Sequence, residues 1–503
     1  MTPRSFVFWI LLSCSVAIAL LRALTFAEPL ERDQTIYAVA AHEILQGRPL
    51  YSDIWDIKPP AIYATFAAAE LLVGYGRGAI YLLGIGAAIA TLFAIFQVVK
   101  TVTGDQFAAL WAAFFWVLVS SDMKLQANQP NTESFINALL VWGIYFFVRA
   151  YRGAKSTSQT HFLLASAGFC WGAATLYKQV AFLVPIVFAL GILCSPPLQA
   201  SRRSRLSTAG VILAPTFALW ALTLAYFEAT GRGEIFRFTL LGYGKLYAGE
   251  GARVVMAHTS LWRRLLPPEL FFLFPLIGLL MFGLRAQKPI PRFWGILGAY
   301  ALAIQGAVML PGQFLAHYYQ LWLPVAVLGA GFGAAIWRKN SSSRAPTVAF
   351  ATVSLALLAT QFPNWRLPLD EFSTHKYELD YFVQLPQTAR AIDELLLPDE
   401  TFYQMGFDPG LYFATRRRVP VGVLSLGSPY LPPLPDWFQM RIIADLEREK
   451  PEMAVVDAAF PVTPVLRYLQ KNYRVLPYRG GPEQLVLLAR RDGKLSQRLN
   501  QKR

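Results

Sequence analysis

The segment DQTIYAVAAHEILQGRPLYSDIWDIKPPAIY, from Asp33 to Tyr63, lies between two long apolar runs and concentrates acidic, basic and aromatic residues. The chain as a whole contrasts with it, because 55% of the residues are hydrophobic and only 15% are charged. Soluble domains are about one-quarter charged, so this composition is typical of a protein with several membrane-spanning helices. We therefore expect the segment to be a polar loop at a membrane surface.

Two short helices are expected in this loop. Its first half repeats apolar residues every four positions and ends at Gly47, which predicts an amphipathic helix lying on the membrane surface. The second amphipathic helix is expected to begin at Pro59 and Pro60, since proline is tolerated in the first turn of a helix but not later. Between the two helices, PLYSDIWD predicts an extended segment.

The apolar runs of the whole chain predict a mainly α-helical, polytopic transmembrane bundle of about eleven helices. The runs lie near 6–27, 79–99, 106–122, 132–150, 161–177, 179–194, 207–228, 268–284, 293–311, 318–337 and 346–363. The first run is too long for a usual signal-peptide core, so we interpret it as a retained helix. The pair 161–194 could be one long helix, but YKQ at 177–179 followed by Pro185 favours two helices.

The basic residues alternate as membrane topology predicts when the amino terminus is cytoplasmic. Three Lys or Arg occur in each predicted cytoplasmic loop: 149–161, 195–207, 285–292 and 338–344. One, one and none occur in the opposing short loops: 122–131, 177–179 and 311–317. This bias supports an orientation in which the outer face carries the loops 28–78 and 229–267 and the tail from about residue 364.

The tail is expected to form a small α/β domain, residues 364–503, after a transmembrane domain, residues 1–363, that includes the first outer loop. YELDYFVQLPQTARAIDELLLPDETFYQMG predicts a helix followed by a strand. RIIADLEREKPEMAVVD predicts an amphipathic helix, a proline and a buried strand, and LRYLQKNYRVLPY and QLVLLARR repeat the theme. About 130 residues is a usual size for one domain.

Composition disfavours several classes of function. The net charge is +15, but the cations cluster between apolar runs, so we expect contacts with membrane lipid and not with nucleic acid. Cys14, Cys170 and Cys194 lie in apolar stretches without a CxxC partner, which indicates neither a disulfide framework nor a thiolate metal site. No Walker motif or glycine-rich nucleotide loop is found, so phosphate transfer from ATP is not supported.

Four charged residues of the first outer loop are the main candidates for function. Asp33, Asp53, Asp56 and Lys58 belong to one loop at one membrane face, where charges are costly and tend to mark functional sites. A purely structural interpretation stays open at this point. Asp33 could cap the first loop helix, Asp53 and Asp56 could be turn residues, and Lys58 could be a snorkelling cation.

The loop also carries a specific order of residues, namely Asp33, Tyr37, Gly47, Tyr51, Asp53, Asp56, Lys58, Pro59, Pro60 and Tyr63. This order resembles the first periplasmic loop of GT-C glycosyltransferases. It is closest to the bacterial branch related to protein O-mannosyltransferases and to lipid A aminoarabinose transferase. One departure is that the family often has Asp-Glu at the first position, whereas Gln34 follows Asp33 here.

The resemblance implies a sugar donor carried on polyprenyl phosphate, with Asp33 as the catalytic base or a substrate-positioning carboxylate. Contacts with substrate or phosphate are implied for further loop residues, namely Tyr37, Asp53, Asp56, Lys58 and Tyr63. Asp56 could hold Lys58 in place, or bind a divalent cation together with Asp33, but no cofactor is certain. The resemblance also implies a bacterial inner-membrane protein with a periplasmic C-terminal domain.

Two residues of later outer loops extend the resemblance. Glu133 matches the second outer acidic site of the family, although a carboxylate favoured by the dipole at a helix start explains it equally well. Lys178 lies at an outer turn, where a lipid phosphate would be its natural partner. Lysines also snorkel at helix ends routinely, so that interpretation stays open.

The segment PGQFLAHYYQLWLP resembles the late HY…P motif of the family. His317 could bind a metal, contact a phosphate, or join an aromatic belt with Tyr318 and its neighbours. The loop 229–267 adds positive charge, for which lipid headgroup binding is the default and phosphate binding an alternative. Arg253, His258, Arg263 and Arg264 carry this charge near the same membrane face, and Arg263 is the candidate for contact with a phosphate.

The predicted function is therefore sugar transfer from a polyprenyl-phosphate donor to a lipid, glycan or protein acceptor at the periplasmic face. A single displacement would invert the anomeric configuration, with Asp33 taking the proton of the acceptor hydroxyl. One alternative is a flippase or transporter of lipid-linked sugars, which would favour charges near the membrane midplane. A second alternative is an inactive accessory subunit of an envelope glycan system.

Overall fold

The computed structural model describes residues 3–194, 202–249, 261–286, 292–341, 344–406, 408–426, 434–478 and 480–501. The chain divides into two compact units. The first, which we call the helical unit, comprises Met1–Phe26, Tyr81–Tyr226 and Ala252–Leu367. The second, which we call the loop-and-tail unit, comprises Ala27–Ile80, Phe227–Gly251 and Pro368–Arg503.

The described part of the helical unit is built from α-helices and short 3-10 segments. Its helices, two of which continue into the other unit, are Pro3–Ala23, Arg77–Thr103, Gln106–Val119, Thr132–Arg152, Thr157–Thr175, Leu183–Cys194, Arg202–Ala229, Leu261–Leu265, Phe274–Ala286, Arg292–Met309, Trp322–Asn340 and Ala345–Trp365. Its 3-10 segments are Gln179–Phe182, Pro268–Leu273 and Ala316–Leu321. Each of the predicted apolar runs is helical, which confirms a mainly α, multi-pass membrane protein.

Seven of the described helices are long and apolar enough to cross a membrane: Arg4–Ala23, Arg77–Thr103, Thr132–Arg152, Ser204–Ala229, Pro268–Ala286, Ala316–Asn340 and Ala345–Trp365. The other predicted runs form helices that are shorter or less apolar. The run 161–194 is two helices, because one ends at Thr175 and helical structure resumes only at Gln179. The turn between them contains Lys178.

Two helices of the helical unit approach each other so closely that glycine is required. A Cβ atom at Gly333 would lie 2.0 Å from the carbonyl oxygen of Leu279, and one at Gly283 would lie 2.7 Å from the Cα atom of Gly333. Small residues at such crossings let helix backbones touch, which is the usual way in which helices pack inside a membrane.

Gly333→Ala is therefore expected to destabilise the helical unit by about 1–3 kcal/mol, because the added methyl group meets backbone that cannot rotate away. Thermal unfolding in detergent measures the effect as a lower melting temperature. Gly298→Ala is the matched control, since a Cβ there meets nothing within 4 Å. Equal melting temperatures for the two variants would contradict the close helix contact.

The loop-and-tail unit combines short helices with the sheet. Its helices are Arg32–Leu45, Ala61–Val73, Gly233–Arg237, Leu369–Tyr377, Tyr381–Leu395, Gly410–Thr415, Asp436–Glu449, Pro464–Asn472 and Lys494–Gln501, with a π-helical turn at Phe238–Tyr243. Its strands are β1 (Phe402–Met405), β2 (Met453–Asp457), β3 (Tyr473–Val475) and β4 (Leu485–Arg490). The predicted order of helices and strands in the tail is confirmed.

The four strands form one sheet in the order β1-β2-β4-β3. β1 and β2 are parallel, while β4 is antiparallel to both β2 and β3. Parallel neighbours need a long crossover, and the helix Asp436–Glu449 lies within it. The first outer loop belongs to the same unit as this sheet, whereas the division into domains 1–363 and 364–503 stays a prediction.

The predicted extended segment between the loop helices is wrong, because the chain turns there. The amide of Tyr51 donates to the carbonyl oxygen of Ile54 at 2.6 Å, and Tyr51 has a φ angle of 70°. The amide of Trp55 then donates to the carbonyl oxygen of Gly422 at 2.7 Å. A Cβ atom at Gly422 would lie 1.6 Å from the carbonyl oxygen of Asp53, so this position of the tail must be a glycine.

Candidate functional site

The first loop helix, Arg32–Leu45, begins with a capped carboxylate cluster. Glu31 is the N-cap residue, and its Oε2 atom accepts a hydrogen bond from the amide of Asp33 at 2.9 Å. The interpretation of Asp33 as the helix cap is therefore wrong. Asp33 lies in the first turn and is buried, as are all helix residues from there to Ala41. The Glu31 side chain therefore caps the helix by accepting from the backbone amide of Asp33.

The tail adds a carboxylate to this helix start. Asp408 accepts hydrogen bonds at its Oδ1 atom from the amide of Gly410 at 2.7 Å and from the hydroxyl of Thr35 at 3.4 Å. The Nε atom of Arg32 lies 3.5 Å from Oε1 of Glu31 and 3.9 Å from Oδ1 of Asp33. We call Glu31, Arg32, Asp33 and Asp408 the carboxylate cluster.

Burial shifts Glu31 and Asp408 of the carboxylate cluster towards their neutral forms. Desolvation raises the pKa of the Glu31 carboxyl, and the charge of Asp33 raises it further. Desolvation also raises the pKa of Asp408 to about 6, although the Gly410 amide and the Arg32 charge oppose this shift. Perturbed carboxylates of this kind occur preferentially at functional sites.

Asp56 belongs to a second hydrogen-bond network of the same loop. The Tyr63 hydroxyl donates to Oδ2 of Asp56 at 2.5 Å and accepts from the Lys58 amide at 3.3 Å, while the Tyr51 hydroxyl donates to the Lys58 carbonyl oxygen at 2.7 Å. Desolvation raises the pKa of Asp56, and the charge of Asp33 adds to this effect while Lys58 opposes it. The charges of Asp33 and Lys58 therefore both act on the Asp56 carboxyl group.

The remaining predicted loop residues have structural positions. Tyr37 is fully buried, and its ring meets Tyr63 edge-on at a centroid distance of 6.2 Å, which packs the two loop helices together. Asp53 is exposed in the turn. Gln34 is 2% exposed, and its Oε1 atom has no hydrogen-bond partner among the described residues.

Sequence reasoning missed a buried ion pair that joins the loop to the tail. The Nζ atom of Lys376 lies 2.8 Å from Oε1 of Glu28, and both side chains are 0% exposed. Sequence reasoning also did not single out Glu31 and Asp408 as site residues. The Asp-Pro-Gly turn after β1 was the only signal for Asp408, and turns of this composition are common.

Four predicted residues of the helical unit gather in one cluster. The Nζ atom of Lys178 lies 2.7 Å from Oε1 of Glu133 and 3.2 Å from the ring centroid of Tyr318. Oε2 of Glu133 accepts from the Thr132 hydroxyl at 2.9 Å, and Glu133 is fully buried. The His317 ring meets Tyr318 edge-on at 4.7 Å. Lys178 is therefore held by a carboxylate and an aromatic face.

Two of the arginines named as candidates in the loop 229–267 are described by the structure, and they differ in burial. Arg263 is exposed, whereas Arg264 is buried with its guanidinium 5.2 Å from the Phe314 ring. The carbonyl oxygen of Arg264 accepts from the Tyr319 hydroxyl at 2.5 Å. Arg253 and His258 lie outside the described residues. Of the two described arginines, Arg264 has the enclosed position of a binding residue.

Metal binding stays a prediction for this chain. Within the described ranges, no three side chains of His, Cys, Asp or Glu are grouped so that they could hold a metal ion. A divalent cation at Asp33 and Asp56 would therefore need oxygen ligands from a substrate or from water, as Mg²⁺ commonly has.

A scan against protein-family models and a search of curated proteins find no match. Solved structures do match, and they show that the chain has the GT-C fold of membrane glycosyltransferases. It is similar to ArnT from Cupriavidus metallidurans bound to undecaprenyl phosphate, with a TM-score of 0.63 and 14% identity over 98% of this chain and 99% of that one.

Two structures of an archaeal oligosaccharyltransferase are also similar. One is the Archaeoglobus fulgidus enzyme tethered with an acceptor peptide, with a TM-score of 0.54 and 13% identity over 98% of this chain and 76% of that one. The other is AglB from the same organism in complex with an inhibitory peptide and a dolichol-phosphate, with a TM-score of 0.53, 14% identity and coverages of 98% and 77%. At these identities the likeness concerns the fold alone.

Proposed function

We propose that this protein is an integral-membrane glycosyltransferase that moves a sugar from a polyprenyl-phosphate donor to an acceptor hydroxyl. The observation that carries the proposal is the buried Asp33, fixed at a capped helix start and sharing its electrostatic environment with Asp56 and Lys58. The fold supports it, because the similar structures include one bound to undecaprenyl phosphate and one in complex with a dolichol-phosphate.

Asp33 acts as the general base in this proposal. It accepts the proton of the acceptor hydroxyl while the acceptor oxygen forms a bond to the anomeric carbon of the sugar. The bond from that carbon to the lipid phosphate oxygen breaks at the same time, and its electron pair leaves with the phosphate. The attack and departure occur on opposite faces, so the configuration of the anomeric carbon inverts.

Cations stabilise the departing lipid phosphate, which needs no general acid because it is a stable anion. Lys58 is the candidate from the first loop, and Lys178 and Arg264 are the candidates from the helical unit. The Lys178 ammonium group lies 2.7 Å from Oε1 of Glu133 in the helical unit. His317 and Tyr318 complete the surroundings of Lys178.

The cellular setting follows from the predicted topology and belongs to the proposal. The short loops with few basic residues, together with the first outer loop and the tail, would face the periplasm of a bacterial inner membrane. The acceptor is a lipid, a glycan or a protein that carries a free hydroxyl. The buried acceptor atom of Gln34 suits a hydrogen bond from a substrate hydroxyl.

Donor consumption in detergent tests the proposal. The purified full-length protein is incubated with a panel of undecaprenyl-phosphate hexoses and pentoses, with a membrane extract as the acceptor source. Mass spectrometry follows the release of free undecaprenyl phosphate. A glycosyltransferase releases it without a sealed compartment, whereas a transporter needs sealed vesicles and an accessory subunit releases none. Absence of release from every donor would refute the proposal.

A further inference from the structure

A cavity of about 620 Å³ lies at one end of the helical unit, a size that falls within the range of about 300–1,000 Å³ usual for ligand sites. Its walls come from the first helix, from the start of the helix Gln106–Val119 and from the end of the helix Trp322–Asn340. The last helix is about 28 Å long, and it begins next to Tyr318, which contacts Lys178. The cavity therefore lies at the opposite end of this helix from Lys178, which is the cytoplasmic end in the predicted topology.

The cavity contains an arginine that is held on two sides. The Nε atom of Arg338 donates to Oδ2 of Asp105 at 3.0 Å, and its guanidinium carbon lies 4.1 Å from the Phe107 ring centroid. Oδ1 of Asp105 accepts from the amides of Phe107 and Ala108 at 2.9 and 3.1 Å, so the helix start holds this carboxylate. Within the described residues, the two terminal amino groups of Arg338 have no hydrogen-bond partner. These donors can bind an anion, for which a guanidinium is well suited.

A second cation and an apolar wall complete the cavity. Lys339 lines it, and its ammonium group has no ion-pair partner in the described part of the chain. Asp105 offsets only one of the two cations, so the side chains that line the cavity keep a net positive charge. Phe6, which is 47% exposed, and Leu110 form the apolar part of the wall. The ligand that suits these surroundings is a phosphate group attached to an apolar chain.

We propose that this cavity binds one anionic phospholipid, with the lipid phosphate at Arg338 and Lys339 and an acyl chain along Phe6. Two of the wall helices, Arg4–Ala23 and Ala316–Asn340, are long and apolar enough to cross a membrane, and each has one end here. Lipid headgroups are therefore the phosphates most abundant at this level. A free phosphate ion would use the cations but leave the apolar wall in water. The inference is independent of the proposed function, because no residue of the cavity takes part in sugar transfer.

Native mass spectrometry of the full-length protein in detergent tests the site by titration with dioleoyl phosphatidylglycerol or dioleoyl phosphatidylcholine. The unchanged protein is expected to bind the anionic lipid about tenfold more tightly, because two cations contact its phosphate and no second positive group repels them. Lys339→Gln is expected to weaken this binding about fivefold, the usual contribution of one basic residue near anionic lipid. Lys155→Gln is the matched control, since Lys155 is exposed in the predicted cytoplasmic loop 149–161 and does not line the cavity.

Asp105→Asn is expected to change the binding in the opposite direction. Asparagine can still cap the helix through its side-chain oxygen, but it no longer competes with a lipid phosphate for Arg338. Binding of phosphatidylglycerol should therefore become tighter by about fivefold, which a purely structural role of the ion pair would not produce. Excess inorganic phosphate should leave the lipid bound.

Four results would overturn the inference. Equal binding of the two lipids would show that the cavity does not select an anionic headgroup. Equal losses in Lys339→Gln and Lys155→Gln would show that only the general surface charge matters. Weaker binding by Asp105→Asn would show that the ion pair supports the structure and does not compete with the ligand. Displacement of the lipid by inorganic phosphate would show that the site is one for a free ion.

Discussion

Replacement of Asp33 by asparagine is expected to reduce sugar transfer by a factor of about 10² to 10⁴, the usual contribution of a general base. Asparagine keeps the size and polarity of the side chain but cannot take the proton of the acceptor hydroxyl. The helix start should survive, because its cap is Glu31 and the bond goes to the backbone of Asp33. The measurement is the rate of undecaprenyl phosphate release at equal protein level.

Asp492→Asn is the control for this variant. It also removes one carboxylate, but the Asp492 side chain belongs to the tail and is 80% exposed. Transfer by Asp492→Asn should stay within about a factor of two of the unchanged protein, since the charge of an exposed carboxylate is screened by salt. Near-normal transfer by Asp33→Asn, or equal losses in both variants, would contradict the assignment of the base.

Replacement of Lys376 by methionine is expected to destabilise the loop-and-tail unit by about 3–5 kcal/mol. The change removes the ammonium group that lies 2.8 Å from Oε1 of the buried Glu28 carboxylate. Thermal unfolding and limited proteolysis in detergent measure the loss of stability.

The double variant Glu28→Gln with Lys376→Met separates the buried charge from the loss of packing. Removal of both charges should recover most of the stability, because a neutral pair has a much smaller desolvation cost. Arg448→Ala is the surface control, since the Arg448 side chain is 64% exposed and its ion pair with Asp445 is worth about 1 kcal/mol or less. Equal effects of Lys376→Met and Arg448→Ala would contradict the burial of the pair.

The sequence patterns predicted the helices of this protein well, because hydrophobic length and periodicity are properties of neighbouring residues. The helix–strand order of the tail was predicted for the same reason. The segment from Pro49 to Asp56 was predicted wrongly as extended, since its turn depends on hydrogen bonds that include a contact with Gly422 of the tail. Gly422 is far from this segment in the sequence, so no local pattern predicts the contact.

The same distinction between local patterns and distant contacts applies to the residues of the candidate site. Asp56 and Lys58 lie in one loop, and Tyr63 links the Asp56 carboxylate to the backbone amide of Lys58, whereas the predicted pairing of their side chains stays a prediction. Arg263 stays the predicted candidate for phosphate contact, but no sequence pattern shows that Arg263 is exposed and its neighbour Arg264 is buried. Glu133 and Lys178 were predicted separately, whereas their ion pair joins the start of the helix Thr132–Arg152 to the turn that follows the helix Thr157–Thr175.

The sequence by itself determined the membrane-spanning character of the chain, its helices and the acidic first loop, because burial in lipid depends on the apolarity of contiguous residues. Only the tertiary structure decided which charges meet. Asp408 accepts from Thr35 of the first loop helix, and Lys376 pairs with Glu28, through segments that are distant in the chain. The physical reason is that a buried charge is tolerable only beside a partner, and the partner is chosen by the path of the folded chain.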